Sequence, residues 1–513
     1  MIDICYVGNS SIDNIKNNGG SKKTLGGSAI YSSIASRFVS DKKISIISNV
    51  NKDVKQMLDN YNIEYIGNLV PEITEFNIDE EKSSCNFVKE INNNICLDTL
   101  LEIDNLHISF RKGVNIDYIL SNPNIRYKKL SIDVMIHSVK NFIPSLIKYN
   151  SKINTLFCNL KEYEIIRKYV NNIPRIIITN EDNPVILIEK DKNYLFEVNS
   201  VNNIVSSTGA GDSFIGGYLG AYTDGKKISE CINIGIQTAK NSLQNFGPLR
   251  NLNKTFPVSE AKRLPKNILV IGNSCAGKTT FIECFKKYFN IYSDIDDLNP
   301  LLEMFFIDDI SRENDINKLK KINGKIKYMT EIYEEYIHEF PNISHYSSKA
   351  IKGNGHDIIN PVLWDIILKK SVIVDKEKNN IIQFSRGKDK LYEEAFGTDI
   401  YKRSISEVIG ALNNSNDILI INLISDLNIR KMRNNIRYKN GGHFVSEDTM
   451  DNVYNEDIFR YKHIDDNRGY IHINNINYPV YTIINNKMLS SFELNSFLIY
   501  NIKEVIEYFN NWR

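Results

Sequence analysis

No stretch of this sequence stays apolar long enough to cross a bilayer: the longest runs, such as Ile418 to Ile424, fall far short of the roughly 20 residues a spanning helix needs. An excess of charge of either sign is also missing. Lys and Arg number 63 against 62 Asp and Glu, and a net charge of +1 gives no bulk attraction to nucleic acid or membrane, leaving only local basic sites. Cysteine is scarce. The 7 residues, Cys5, Cys85, Cys96, Cys158, Cys231, Cys275 and Cys284, include no pair at CxxC spacing, which argues against a disulfide framework and for reduced thiols in a cytoplasmic protein. The opening MIDICYVGNSSID has neither a basic stretch nor a long apolar one, so no signal peptide is expected. Internal repeats are absent too.

What is there reads as a soluble globular chain, 42% hydrophobic and 24% charged. At 513 residues it exceeds what one hydrophobic core usually serves, so two domains are expected. Short β-branched runs alternate with amphipathic stretches, giving candidate strands at Ile2–Val7, Ile44–Ser48, Leu130–Asp133, Thr155–Cys158, Arg175–Thr179 and Val185–Glu189. That alternation suggests parallel βαβ construction. It restarts at Asn267, and the aperiodic, proline-containing stretch before that point reads as a linker. The expected division is a first domain over 1–250, a linker over 251–266 and a second domain over 267–513.

The strongest motif of the first half is Ser207-Thr208-Gly209-Ala210-Gly211-Asp212 followed by an apolar, glycine-rich helix. Small residues let backbone N–H groups approach an anion, and the helix adds its positive end. An acidic residue inside such a nest suits a general base that deprotonates an attacking hydroxyl while the amides hold the phosphoryl group. The same pattern also fits a tight helix-start turn with Asp212 as a cap. The segment resembles the second signature of the ribokinase (phosphofructokinase-B) family of sugar and nucleoside kinases. Further landmarks stand in the family's order: Val7-Gly8-Asn9, Asp13, Gly26-Gly27-Ser28 and Asn159-Leu160-Lys161-Glu162. The resemblance implies that Asp13, Gly26 and Gly27 meet the acceptor, that Asn159 and Glu162 organise magnesium and phosphates, and that Gly209, Ala210 and Gly211 form the anion hole for Asp212. It departs from the family at Tyr31, where an Asn often touches the sugar, and at Ser206, where an Asp commonly helps bind a monovalent cation. Family members build a lid from the segment corresponding to about Tyr65 to His107.

In the second half, Ile268-Leu269-Val270-Ile271 leads into Gly272-Asn273-Ser274-Cys275-Ala276-Gly277-Lys278-Thr279-Thr280, a G-x-x-x-x-G-K-T pattern between a strand and a helix. In such a Walker A loop the amides cradle phosphates, Lys278 reaches the β and γ oxygens and Thr279 can hold magnesium. No N-K-x-D base-specificity motif is evident, which counts against a GTPase switch. Arg386, just past the apolar run Ile381–Phe384, is expected to face the crevice at the strand ends. Arg430, Arg433 and Arg437 follow another strand at spacings of three and four, on one helix face; a solvated basic helix fits the same spacing.

The half resembles small-molecule P-loop kinases. Asp294 and Asp296 resemble the D-x-D of shikimate- and gluconate-kinase-like enzymes, implying an acceptor contact. The arginines resemble the phosphate-closing lid of nucleotide kinases. Arg437 through His443 resembles the R-x-x-x-G-G-H of zeta-toxin-like kinases, where His443 fits a phosphate or acceptor contact and a structural turn equally well. A charged, largely helical insertion is expected over about 300–365, including His356 and Asp357, and a lid over about 427–460.

The expected fold is therefore α/β: a ribokinase-like αβα domain followed by a P-loop NTPase αβα domain. The expected activity is two ATP- and Mg2+-dependent phosphoryl transfers, the catalytic residues being Asp212, Lys278, Asp294, Asp296 and Arg433. A nucleoside triphosphate and a small-molecule acceptor are the expected partners, nucleic acid and membrane are not, and a homodimer is left open. Two other readings stand beside this one: a nucleoside kinase joined to a nucleotide kinase in salvage, and a metabolite-sensing protein with one inactive kinase domain.

Overall fold

The computed structural model describes residues 1–513 except 18–19, 83, 90, 92–94, 96, 112–113, 136–138, 191, 253–259, 297–347, 351–355, 359–364, 366–367, 370–371, 373–378, 389–398, 414, 441–443 and 513. Most of the expected insertion, together with Gly441, Gly442 and His443, lies outside the described residues. His356 and Asp357 are described only as backbone, in a short strand His356–Ile358 antiparallel to Ser348–Ala350. The chain forms two compact units, Met1–Lys262 and Arg263–Arg513. Within the stretch read as a linker, Lys262–Leu264 is a short strand.

The strands of the first unit are β1 (Ile2–Val7), β2 (Ser11–Asn17), β3 (Gly20–Gly26), β4 (Ile44–Ile47), β5 (Glu64–Ile66), β6 (Thr74–Asp79), β7 (Ser84–Lys89), β8 (Leu101–Phe110), β9 (Ile125–Val134), β10 (Thr155–Asn159), β11 (Arg175–Asn180), β12 (Asn183–Glu189) and β13 (Lys192–Phe196). Its main sheet runs β13-β12-β11-β10-β9-β8-β1-β4-β5. The pairings from β11 through β5 are parallel, which explains why β1, β4 and β10 read as nearly continuous apolar runs: they are covered on both faces. The expected parallel alternation stops at β11, because β12 and β13 return as antiparallel neighbours over short turns. Ile4, Tyr6, Ile34, Phe157, Phe214 and Ile232 belong to one buried cluster in this unit.

A separate four-stranded sheet has the order β3-β2-β6-β7. Here β2 pairs antiparallel with β3 and parallel with β6, and β6 pairs antiparallel with β7. Its strands mix Lys, Asn, Asp and Glu with Ile and Phe, as suits a sheet with one face to water.

The second unit is built on a 7-stranded sheet. Asn267–Ile271 lies between Asn380–Phe384 and Ile418–Ile424, with Ser293–Asp296 and Ile476–Ile484 outside these, all parallel. Arg468–Ile473 and Lys462–His463 complete it as antiparallel strands. Leu269, Ile382, Phe384, Tyr401, Ile405 and Ile420 are among its buried core residues. The strand-to-helix turn of interest leaves Asn267–Ile271 and enters the helix Lys278–Phe289.

Candidate functional site

In the first unit the helix Ala210–Thr223 starts at Gly209, whose φ of 79° lies in the left-handed region that glycine adopts without strain. Asp212 falls in the first turn. Its Oδ1 accepts a 2.7 Å hydrogen bond from Nη2 of Arg111, which also lies 2.9 Å from Asp133 Oδ2. Asp133 Oδ1 lies 3.3 Å from His107 Nε2, and the other ring nitrogen is 3.0 Å from Ser131 Oγ. A carboxylate, a guanidinium, a second carboxylate and an imidazole thus form one chain. The parallel sheet assembles it: Arg111 follows β8, Asp133 lies near the end of β9, and Asn159 ends β10. The carboxyl ends of neighbouring parallel strands are where open α/β sheets place ligands.

Burial pushes the Asp212 carboxyl up, helped by the charge of Asp133 and opposed by Arg111. An upward shift is the direction that suits a general base. Burial also works against the Asp133 carboxylate, but Arg111 and His107 hold its carboxyl below the ordinary range. Arg111 itself is held protonated by Asp212, Asp133 and Glu162 despite its own burial.

Asp13, on β2, is buried. Ser11 Oγ donates to its Oδ1 at 2.6 Å and Tyr31 OH to its Oδ2 at 3.2 Å. Burial pushes its carboxyl up to about 6 against those hydrogen bonds. Gly26, at the end of β3, comes so close that a Cβ there would collide with the Asp13 carboxylate; Gly27, at φ 99°, caps the helix Ser28–Val39. The Tyr31 ring lies against Gly209, where a Cβ would strike it. Tyr31 therefore spans from Asp13 to the start of the Asp212 helix, bringing together residues that are 196 positions apart (209 minus 13).

Asn159 and Glu162 meet each other. The Asn159 side chain accepts from Glu162 N at 2.9 Å, and Glu162 Oε2 accepts from Asn159 N at 2.7 Å, a capping box on the helix Leu160–Ile166. Among the described residues no group of three or more His, Cys, Asp or Glu side chains is arranged to hold a metal ion.

In the second unit Ser274, Cys275, Gly277, Lys278, Thr279, Thr280, Gln383, Ser385, Arg433 and Arg437 help to line a cavity of about 410 Å³. Lys278 Nζ donates to Gly272 O at 2.9 Å, Asn273 O at 3.1 Å and Ser385 Oγ at 2.6 Å. Gly272 and Gly277 have φ of 139° and 106°, and Ala276 between them is buried. Arg433 grips the loop from outside: Nη1 lies 3.4 Å from Ala276 O, and Nη2 donates to Asn485 Oδ1 at 2.9 Å and Lys487 O at 3.0 Å. Arg437 Nη2 donates to Asn434 Oδ1 at 3.3 Å.

Two expected arginines are elsewhere. Arg386 turns inward, where its Nη2 lies 2.8 Å from Asp365 Oδ1 and its Nε donates to Ser404 Oγ at 2.9 Å. Arg430 is buried at 1% exposure, with Nε donating to Ser425 O at 2.8 Å. Neither lines the cavity. Spacing alone set the three helix arginines on one face, but of these only Arg433 and Arg437 line the cavity, and Arg433 touches the loop. Asn273 is buried and donates to Glu456 O at 2.9 Å. Asp294 is exposed on the outer parallel strand Ser293–Asp296, where the Asp296 side chain lies outside the description.

The sequence reading missed Arg111, Asp133 and His107 in the first unit and Ser385, Gln383 and Asn485 in the second. For Arg111, Asp133, Ser385 and Asn485 the available signal was a polar residue at or just past the end of a strand, whereas His107 and Gln383 lie within strands.

Comparison with known proteins bears on the first unit. Residues 110–255 match the model of the pfkB family carbohydrate kinases. The matched span contains Arg111, Asp133, Asn159, Glu162 and Asp212. A nucleoside kinase of Methanocaldococcus jannaschii is 29% identical over 115 residues, 21% of this chain and 38% of that protein. A ribokinase of Lactococcus lactis subsp. lactis is 29% identical over 130 residues, 25% of this chain and 42% of that protein. The chain thus spans less than half the length of these two relatives. The solved structure of the Methanocaldococcus jannaschii nucleoside kinase, described as an archaeal member of the ribokinase family, aligns at 20% identity with a TM-score of 0.40, over 49% of this chain and 95% of its own. The N-terminal half of the chain carries a pfkB, ribokinase-like carbohydrate-kinase domain.

Proposed function

We propose that the Met1–Lys262 unit transfers the terminal phosphoryl group of a nucleoside triphosphate to a hydroxyl of a sugar or nucleoside. The observation that carries this is Asp212, set immediately after the Gly209–Gly211 nest and held there by Arg111. Asp212 takes the hydroxyl proton as that oxygen attacks the terminal phosphorus. The bond to the bridging oxygen breaks, and the nucleoside diphosphate leaves while the amides of Gly209, Ala210 and Gly211 hold the phosphoryl oxygens. Asp13, Gly26 and Gly27 face the acceptor, and the Tyr31 ring limits the room between Asp13 and the nest.

For the Arg263–Arg513 unit we propose a P-loop phosphotransferase acting on a related metabolite, with the first product as one candidate. Lys278, released from its loop carbonyls, meets the phosphates together with Arg433 and Arg437, while Asp294 and Asp296 face the acceptor. Magnesium would be held by the Thr279 hydroxyl in the second unit and, with Asn159 beside it, by the Glu162 carboxylate in the first. Its chemistry is to neutralise phosphate charge.

A screen of sugars, nucleosides and their monophosphates with ATP and magnesium tests both assignments. Activity lost in Asp212→Asn belongs to the first unit and activity lost in Lys278→Ala to the second. Transfer to nucleosides and nucleotides rather than free sugars would select the salvage reading. No transfer to any acceptor would select a sensing role, the reading that rests on Tyr31 and Ser206, where the chain departs from the family pattern.

A further inference from the structure

The four-stranded sheet of the first unit meets the segment before the nest through the Glu80 carboxylate and the Asn17 amide. Glu80 directly follows β6, and its backbone N–H still donates to Lys16 O at 2.9 Å, so the side chain leaves from the end of the β2/β6 ladder. Glu80 Oε1 accepts from Ser206 Oγ at 2.7 Å, Ser207 N at 2.8 Å, Thr208 N at 2.8 Å, Thr208 Oγ1 at 2.7 Å and Ser207 Oγ at 3.2 Å. Asn17, at the end of β2, donates to Glu80 Oε2 at 3.1 Å and to Val205 O at 2.7 Å.

Two amides and three hydroxyls around one oxygen exceed what its lone pairs can satisfy. Such a donor set suits a larger oxyanion better than it suits a carboxylate. Burial opposes the charge on Glu80, but hydrogen bonds from Ser206, Thr208 and Asn17 hold its carboxyl below the ordinary range.

We propose that Glu80 is a resident anion that latches the four-stranded sheet onto Ser206–Thr208, and that a phosphate-type anion entering the Gly209–Gly211 nest competes with it and frees the sheet. The second half rests on the phosphate-nest reading above. The nest begins one residue after Thr208, so a polyphosphate bound there would crowd a second negative charge against Glu80 and draw on neighbouring donors. Donor binding and sheet opening are thereby coupled through a single ionised side chain.

The test uses the full chain in a Lys278→Ala background, which weakens anion binding by the second unit. Inorganic pyrophosphate is titrated calorimetrically into this parent and into its Glu80→Gln and Glu80→Ala derivatives. Hydrogen exchange is followed in peptides covering 74–79 and 84–89. Both derivatives should bind pyrophosphate about tenfold more tightly, the order expected on removing one nearby like charge. Both should also exchange faster in β6 and β7 without ligand, and pyrophosphate should speed exchange in the parent. Equal affinity with equal exchange would overturn the proposal, as would weaker binding by the derivatives. If none of the proteins binds pyrophosphate, the nest reading and the release fail together, whereas exchange in the ligand-free proteins still decides the latch.

Discussion

Replacing Asp13 with Asn removes a charge that the first unit buries at a cost in stability. The residue is 3% exposed and its carboxyl is pushed from an ordinary 3.8 up to about 6. Because the folded value lies above the unfolded one, the native state holds the extra proton between those two pH values. Stability therefore falls as pH rises through that window, and the loss is complete above it. A shift of roughly two units at 1.36 kcal/mol each is on the order of 3 kcal/mol. The amide keeps both partners, since its oxygen can accept from Ser11 and its nitrogen can donate to the Tyr31 oxygen. Asp13→Asn should accordingly match the wild type near pH 4 and exceed it at pH 7.5 by about 1–3 kcal/mol, while losing acceptor affinity.

Urea unfolding of the full chain at several pH values measures the difference. Both tryptophans, Trp364 and Trp512, lie beyond residue 262, so their fluorescence reports the second unit and serves as an internal control. Hydrogen exchange of the Ile2–Val7 peptide follows the first unit. A stability difference that stays constant from pH 4 to 7.5, or a less stable Asp13→Asn protein at pH 7.5, would refute the reasoning.

Arg433→Lys should lower kcat of the second unit by up to ~10³-fold with a smaller change in KM, because an ammonium keeps the charge but loses the fork. Arg430→Lys should instead lower the stability of that unit, measured by tryptophan fluorescence during urea unfolding. Equal kcat and KM for wild type and Arg433→Lys would return the helix to a basic-surface role. In the first unit, Arg111→Met removes the charge that opposes the rise in the Asp212 carboxyl, so the acid limb of the kcat/KM profile should move to higher pH, with Arg111→Lys restoring part of the shift. An unmoved limb would separate Arg111 from Asp212. Chains cut between residues 254 and 265 should yield two fragments that each unfold cooperatively, as scanning calorimetry would record; two insoluble fragments would contradict independent folding.

The elements legible in the sequence were those whose residues declare themselves locally. β1, β10 and β11 are apolar runs because both their faces are covered, and Gly209 before Asp212 marks a helix start wherever it occurs. β2, β3, β6 and β7 were not readable in the same way. Their alternation is broken by lysine and asparagine, and their order β3-β2-β6-β7 pairs β2 with β6, as at Ser11 with Thr74, 63 residues apart.

Arg111 and Asp133 were invisible for a related reason. Only the parallel register of β8 with β9, which sets Ser109 opposite Asp133, brings the guanidinium to that carboxylate and so to Asp212. Arg386 shows the converse error. Its place past a strand end was read correctly, but its partner Asp365 sits in a stretch taken for an insertion, and a buried guanidinium follows its carboxylate rather than the crevice. Ser385, one residue earlier, is the group that meets Lys278.

The central claim, that Asp212 is the base of a phosphoryl transfer in the first unit, is tested most directly by single-turnover transfer from γ-labelled ATP. The measurement uses Lys278→Ala protein and the best acceptor from the screen, with and without Asp212→Asn, and nucleotide binding measured in parallel. The account predicts a rate loss of ~10²–10⁴-fold with binding nearly unchanged. An undiminished rate in the Asp212→Asn protein would contradict it.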